Sequence, residues 1–162
     1  MQGVVVRIDD RLLHGQVLLG WAGSLQPQRI VLAHDGIAAD PVQRELYASL
    51  GEGDYEVVVE SVAAAASRLA SAATAGGTLM IVGSAADALA LTENNAPLTE
   101  VNVGGLHYSA GKKRLLDYVY LDHDEATQLA TLIERGVHLE ARDLPGARAL
   151  HIDRRMLEEL WT

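Results

Sequence analysis

A single histidine, His14, stands near the end of residues 4–17 (VVVRIDDRLLHGQV), where an apolar run stops abruptly at arginines and aspartates ahead of Gly15-Gln16. Helical spacing begins at Gly15, so His14 sits at or just before a helix N-terminus, facing unpaired backbone N–H groups and the positive end of the dipole. That setting disfavours imidazolium and leaves a ring nitrogen free as a nucleophile near neutral pH. It also forms a ready-made anion site, suited to a phosphoryl group. Arg7, Arg11 and the amides around Gly15 and Gln16 are placed to share the charge of a loose, metaphosphate-like transition state. Asp9 or Asp10 could orient the ring through its other nitrogen. The plainer alternative is a surface histidine in an ordinary capped loop.

Other chemistries find less support. An acidic pair after a first strand also occurs in magnesium-dependent phospho-aspartate receivers, but these need an acceptor aspartate ending the third strand, where this chain has Glu60-Ser61. Asp9-Asp10 is therefore read as organising its loop through side-chain-to-backbone bonds. Gly104-Gly105 ahead of Lys112-Lys113-Arg114 allows a backbone to approach an anion, or is simply a solvated connection. Neither GxxxxGK[ST] nor GxGxxG is present, and GxSxG is absent too, so no nucleotide cradle or hydrolase elbow is visible. The six histidines show no HExxH or HxH pairing and there is no cysteine. No metal and no cofactor are expected, although His14, His34 and His107 fall toward one sheet edge.

These residues must be carried by regular elements. Residues 3–8 read as a strand buried on both faces, and 15–25 bring Val17, Leu18, Trp21 and Leu25 to helical spacing. A second strand, 29–33, precedes a helix over 41–50 with Asp40 as N-cap and Pro41 first, and a third strand covers 55–59. Ser61 caps an alanine-rich helix over 62–75, closed by Gly76-Gly77, and the fourth strand, 78–82, ends at Gly83-Ser84. Ser84 or Asp87 opens a short helix to about Leu91, and strands at 100–103 and 116–121 flank a glycine-punctuated loop over 104–113. Asp122 with Glu125 forms a capping box for a helix to Arg135; 137–141 is the seventh strand, and an Asp153-capped helix closes the chain. The alternation predicts a single α/β domain over 1–162, with a doubly wound, mostly parallel seven-stranded sheet and helices on both faces. Such sheets bind ligands at the carboxyl ends of their strands. That edge gathers residues 7–14, His34-Asp35, Gly83-Ser84 and the 104–113 loop.

Composition agrees. The chain is 49% hydrophobic but 4% aromatic with no Phe, an aliphatic core suited to helices on a parallel sheet. A net charge of −9 argues against nucleic acid or anionic lipid as the main partner. No apolar run approaches the ~20 residues of a membrane span, no signal-like segment opens the chain, and cysteine is absent. A cytoplasmic protein without direct membrane insertion is expected.

At RIDDRLLHGQV, residues 7–17, the sequence closely resembles the IIB component of the mannose/fructose/sorbose class of the bacterial sugar phosphotransferase system. The likeness continues in DGIAADPVQRELYASL (35–50), VNVGGLHYSAGK (101–112) and ERGVHLEARDLP (134–145), and so covers nearly the whole chain. The resemblance implies a seven-stranded, mostly parallel sheet and a phosphohistidine carrier, a phosphotransferase. In that family the histidine matching His14 accepts a phosphoryl group from a IIA component and passes it to a sugar held by membrane IIC/IID components during uptake. Arg7 and Arg11 match the arginines of the same loop, with Arg11 expected to contact the phosphoryl group; Asp10, Gly15, Gln16 and Ser84 are expected to support the loop or the phosphate. Arg7, Arg11 and Lys112 would face an acidic partner. Family members commonly carry Asn in place of His34, and a Thr/Asn-Pro step in place of Gly83-Ser84-Ala85. Two other readings are a IIB-like phosphorylation-sensitive regulatory or binding protein without sugar transport, and a small-ligand or metal-binding α/β domain in which His14 is incidental.

Overall fold

The structure, a computed structural model, describes residues 3–51, 53–71 and 77–162. Among the described residues nine strands form in chain order: β1 (Val4–Asp9), β2 (Arg29–Ala33), β3 (Glu56–Glu60), β4 (Thr78–Val82), β5 (Glu100–Gly105), β6 (Lys113–Leu116), β7 (Val119–Leu121), β8 (His138–Ala141) and β9 (Leu150–His151). The main sheet has seven strands in the order β3-β2-β4-β1-β5-β8-β9, parallel throughout except for β9 at the edge. The expected strand over 116–121 is instead the hairpin β6–β7, outside that sheet, turning at Asp117-Tyr118. The seventh place falls to β9, too short for an alternation pattern to reveal.

Side chains alternate along the strands, and the two sets build separate cores. Val6, Ile8, Val31, Met80 and Val82 pack beneath α4 (Val62–Ala70), α5 (Ala85–Glu93), α6 (His123–Glu134) and α7 (Arg154–Glu159), against Ala65, Ala88, Leu129 and Leu157. Ile30, Leu32, Leu79 and Ile81 pack on the other face, against Val17 and Trp21 of α1 (Gln16–Ala22 continued by Gly23–Leu25), Ile37 of α2 (Asp35–Ala39) and Tyr47 of α3 (Pro41–Ser49). Helices on both faces make the sheet doubly wound, as the alternation required.

The caps explain where helices begin. Asp40 accepts from the N–H groups of Val42 and Gln43, Ser61 from Ala64, Ser84 from Asp87 and Asp153 from Met156, and Asp122 with Glu125 forms the full capping box. The short α2 was not expected; its N-cap is His34, whose Nδ1 accepts from the Ile37 N–H at 3.2 Å. Here an imidazole does what an Asn side chain does at this position, so the departure at His34 keeps the cap. The helix capped by Ser61 ends at Ala70, sooner than expected, because Ser71 is extended and serves as its C-cap; residues 72–76 of the expected course lie outside the described residues.

The first helix departs from expectation in its winding. α1 is a π-helix over Gln16–Ala22 followed by one α-turn, Gly23–Leu25. In an α-helix, residues five apart face about 140° away from each other. In a π-helix, whose bonds run from i to i+5, they come to one side. Gln16 and Trp21 are five apart, and both reach the same carbonyl, that of Asp143.

The 104–113 loop also begins later than expected, because β5 takes in Gly104 and Gly105. These glycines serve neighbouring side chains: a Cβ on Gly104 would overlap the Arg7 guanidinium of β1, and one on Gly105 would meet the Asp9 carboxylate at 3.3 Å. Around Gly15 there is open space. Gly104→Ala should therefore destabilise the protein by about 1–3 kcal/mol or more in urea titration, as overpacking against an immobile group does. Gly15→Ala, at helical φ, should stay within about 0.5 kcal/mol of the parent.

Candidate active site

The loop between β1 and α1 carries His14 at the carboxyl edge of the sheet. Its chain path turns at Leu12, which adopts φ 60° and donates its N–H to the Asp9 carbonyl at 3.0 Å. A left-handed conformation is costly for a residue with a Cβ, so the loop is held there by its neighbours. Leu13 is buried, and a Cβ on Gly83 would meet the Leu12 side chain at 3.0 Å.

Under the loop lies a buried ion pair. Arg7 and Asp9 are both fully enclosed, with Arg7 Nη2 3.0 Å from Asp9 Oδ2. Arg7 Nη1 donates to Asn102 Oδ1 at 2.6 Å and to the Arg142 carbonyl at 2.8 Å, and Nη2 also donates to the Asp143 carbonyl at 3.2 Å. The guanidinium stacks on Trp21, its Cζ 4.7 Å from the ring centroid. Burial lowers the Arg7 pKa from its ordinary value, and the charge and hydrogen bond of Asp9 pull it back up. Arg7, expected to share the charge of a transferring phosphoryl group, stands fully enclosed beneath the loop and paired with Asp9.

Asp9, left open against Asp10 as the ring's partner, is the carboxylate that faces His14. Its Oδ2 lies 3.2 Å from His14 Nε2, an enclosed atom whose approach is off the line of a formed hydrogen bond. The other oxygen accepts from the Arg11 N–H at 3.2 Å. Asp10 points elsewhere, to His107, whose backbone N–H donates to its carboxylate. The Arg11 guanidinium is half exposed; it donates to Gln16 Oε1 at 2.8 Å, with Nε 3.8 Å from Asp9 Oδ1. Gln16 Nε2 in turn donates to the Asp143 carbonyl at 3.3 Å, and Trp21 Nε1 to the same oxygen at 2.7 Å.

His14, Arg11, Gly15 and Gln16 thus share one loop and helix start. Ser84 does not join them through its acceptor, which caps α5, although Gly83 touches their loop. Lys112 is not a free cation: it is largely buried and bonded to Glu125 Oε1 at 2.7 Å. Glu60, in the receiver-type acceptor position, is held by two bonds from Arg68. Asn102 and the 142–143 carbonyls were missed. A signal existed for the first: Arg7 and Asn102 are the polar residues interrupting two buried strands, and they are register partners. Among the described residues no group of three or more His, Asp or Glu side chains could hold a metal ion, so His14, His34 and His107 do not assemble one.

A buried carboxylate facing one nitrogen of a partly exposed histidine, with a half-exposed arginine beside it, is chemically compatible with histidine phosphoryl transfer. Comparison with known proteins agrees. Residues 3–159 match the family model of the sorbose-subfamily IIB component of the phosphotransferase system, and the chain belongs to that family of sugar-phosphotransferase domains. It is 32% identical over 146 residues to the fructose-specific EIIB component of Bacillus subtilis, covering 90% of each chain. Against the N-acetylgalactosamine-specific IIB component 1 of Escherichia coli it is 30% identical over 144 residues, covering 88% of this chain and 91% of that one. The crystal structure of the IIB domain of the sorbose permease from Klebsiella pneumoniae superposes with a TM-score of 0.84 at 27% identity, over 98% of both chains.

The buried pair generates a stability test. Arg7→Met leaves Asp9 charged and unpaired and should cost about 3–5 kcal/mol in urea titration. Removing both charges, Arg7→Met with Asp9→Leu, should recover much of that loss, a positive coupling measured by the double-mutant cycle.

Proposed function

We propose that this chain is a cytoplasmic phosphohistidine carrier that accepts a phosphoryl group on His14 from a IIA component and yields it to a sugar held by membrane IIC/IID components. The observation that carries this reading is the placement of His14 between Asp9 and solvent. Asp9 faces Nε2, which favours the tautomer with its proton there and leaves the Nδ1 lone pair as nucleophile. Attack by Nδ1 on the donor's phosphorus forms one N–P bond as the donor's N–P bond breaks. The His14 ring then carries positive charge with its proton still on Nε2, beside the Asp9 carboxylate that stabilises it. On leaving, the phosphoryl group returns that ring to neutrality. Arg11 supplies a side-chain cation able to swing from Gln16 to the phosphoryl oxygens.

Family membership supports the sugar system as the setting. One curated relative, the mannose-specific EIIAB component of Escherichia coli, is 32% identical over 139 residues and is matched over 43% of its own length; its printed name joins a IIA to a IIB part. Exposed Leu19 and Leu50 line a groove of about 350 Å³ that begins at Gly15, next to His14, and suits a partner that must bring its histidine into line. Among the described residues no helix is long and apolar enough to cross a membrane.

Incubation with a phosphorylated mannose-class IIA domain should give an acid-labile, base-stable phosphohistidine located at His14 by mass spectrometry. Label persisting in His14→Ala would overturn the reading. Asp9→Asn should slow transfer about 10²-fold, and Arg11→Ala about tenfold or more, with the fold retained in Arg11→Ala by circular dichroism.

A further inference from the structure

Consecutive aspartates serve two different histidines in this structure. Asp9 faces His14 Nε2, and both oxygens of Asp10 hold His107: Oδ2 accepts its backbone N–H at 2.6 Å, and Oδ1 lies 2.5 Å from its Nδ1. We propose that His107 is a docking residue for the phosphoryl donor, an imidazole fixed by Asp10 on the rim of the His14 loop so that its Nε2 meets the phosphoryl-bearing partner. The inference rests on the carrier reading and names a residue of its partner surface.

A carboxylate accepts but does not donate, so the His107 Nδ1 facing Asp10 carries a proton in both charge states of the ring. Only Nε2 changes: an acceptor when the ring is neutral, a charged donor when it is protonated. Among the described residues Nε2 makes no hydrogen bond, and the side chain is 45% exposed. Asp10 is the charged group paired with it. The backbone N–H bond alone would fasten the loop; the second bond fixes an exposed ring, whose ordering costs side-chain entropy and preorganises it for an outside contact.

The position fits. Asp10 N–H donates to the Gly105 carbonyl at 2.9 Å, and Gly105 lies against the Asp9 carboxylate that faces His14. His107, two residues further, therefore belongs to the same bonded unit as the nucleophile. Beside it Tyr108 is 68% exposed, a residue type enriched in interfaces. A dianionic phosphoryl group on the donor is the ligand chemistry that a protonated Nε2–H recognises by a charge-assisted bond.

Two substitutions separate this role from a structural clamp. His107→Asn can keep a donor to Asp10 in place of Nδ1–H but has no Nε2. His107→Gln places a donor near the Nε2 position and gives up the bond to Asp10. Single-turnover transfer from a phosphorylated mannose-class IIA domain to the full chain, as a function of donor concentration, reads the difference. His107→Asn should raise the half-saturating donor concentration about tenfold, a charged hydrogen bond's worth. Its saturating rate should hold. His107→Gln should lose less affinity. The reverse order, Asn harmless and Gln damaging, overturns the proposal. Phosphoramidate, a donor without a protein surface, should label His14 equally in the parent and both variants. If neither phosphoramidate nor the IIA domain labels His14 in the parent, the carrier reading fails and this inference with it.

Discussion

The enclosed ion pair between Arg7 and Asp9 is the constraint from which the site's geometry follows. Two charges taken out of water are tolerated only when nearly every donor and acceptor around them is matched. Here that condition reaches across the fold: Arg7 needs Asn102 on the adjoining strand and the carbonyls of Arg142 and Asp143 after β8, while Asp9 needs the Arg11 amide. The pair also demands room, which is why β5 ends in two glycines where it passes beneath the guanidinium and the carboxylate. A carboxylate held this way cannot turn from His14 to solvent. In the proposed transfer the tautomer of His14 is thus favoured by a contact network whose members mostly never meet the phosphoryl group.

Rigidity below the histidine contrasts with freedom beside it. The Asp143 carbonyl receives donors from Arg7, Gln16 and Trp21, so the loop after β8 and the first turn of α1 are tied to the ion pair at a single oxygen. Bringing residues five apart to that oxygen requires the wider π winding, and the irregular helix is therefore part of the site. Arg11 is the exception. It is half exposed and bonded to a side chain, Gln16, that is itself anchored, so it rests at a defined place and can leave it.

Much of this was legible in the chain, for reasons that differ from residue to residue. The parallel sheet and its helices follow from aliphatic runs bounded by Asp, Ser and Gly, because burial on both faces and capping leave local signatures. His14 and Arg11 were legible because reactive residues crowd a short loop. Asp9 and Asp10 could not be told apart, since strand alternation sends them to opposite sides and only the register with Gly105 decides which meets the histidine. The depth of Arg7, read only as a charge partner of His14, was not legible because sequence shows charge and not burial. The hairpin β6–β7, the two-residue β9 and the π winding are set by contacts distant in the chain and leave no local period to read.

A carrier must hold its cargo tightly enough to accept it and loosely enough to release it, and the charges are arranged accordingly. Binding a phosphoryl group equally well before and during transfer would deepen a resting state without lowering the barrier out of it. Of the cations read in the sequence as facing this site, Arg7 is neutralised and sheathed by Asp9, and Lys112 is paired with Glu125 at 2.7 Å. In the proposed transfer Arg11 alone of the three is left to meet the phosphoryl oxygens, from a half-exposed side chain bonded to Gln16. The sheathing of Arg7 therefore does two things at once: it fixes Asp9 against His14, and it leaves Arg7 with no open charge for the phosphoryl group of the proposed transfer.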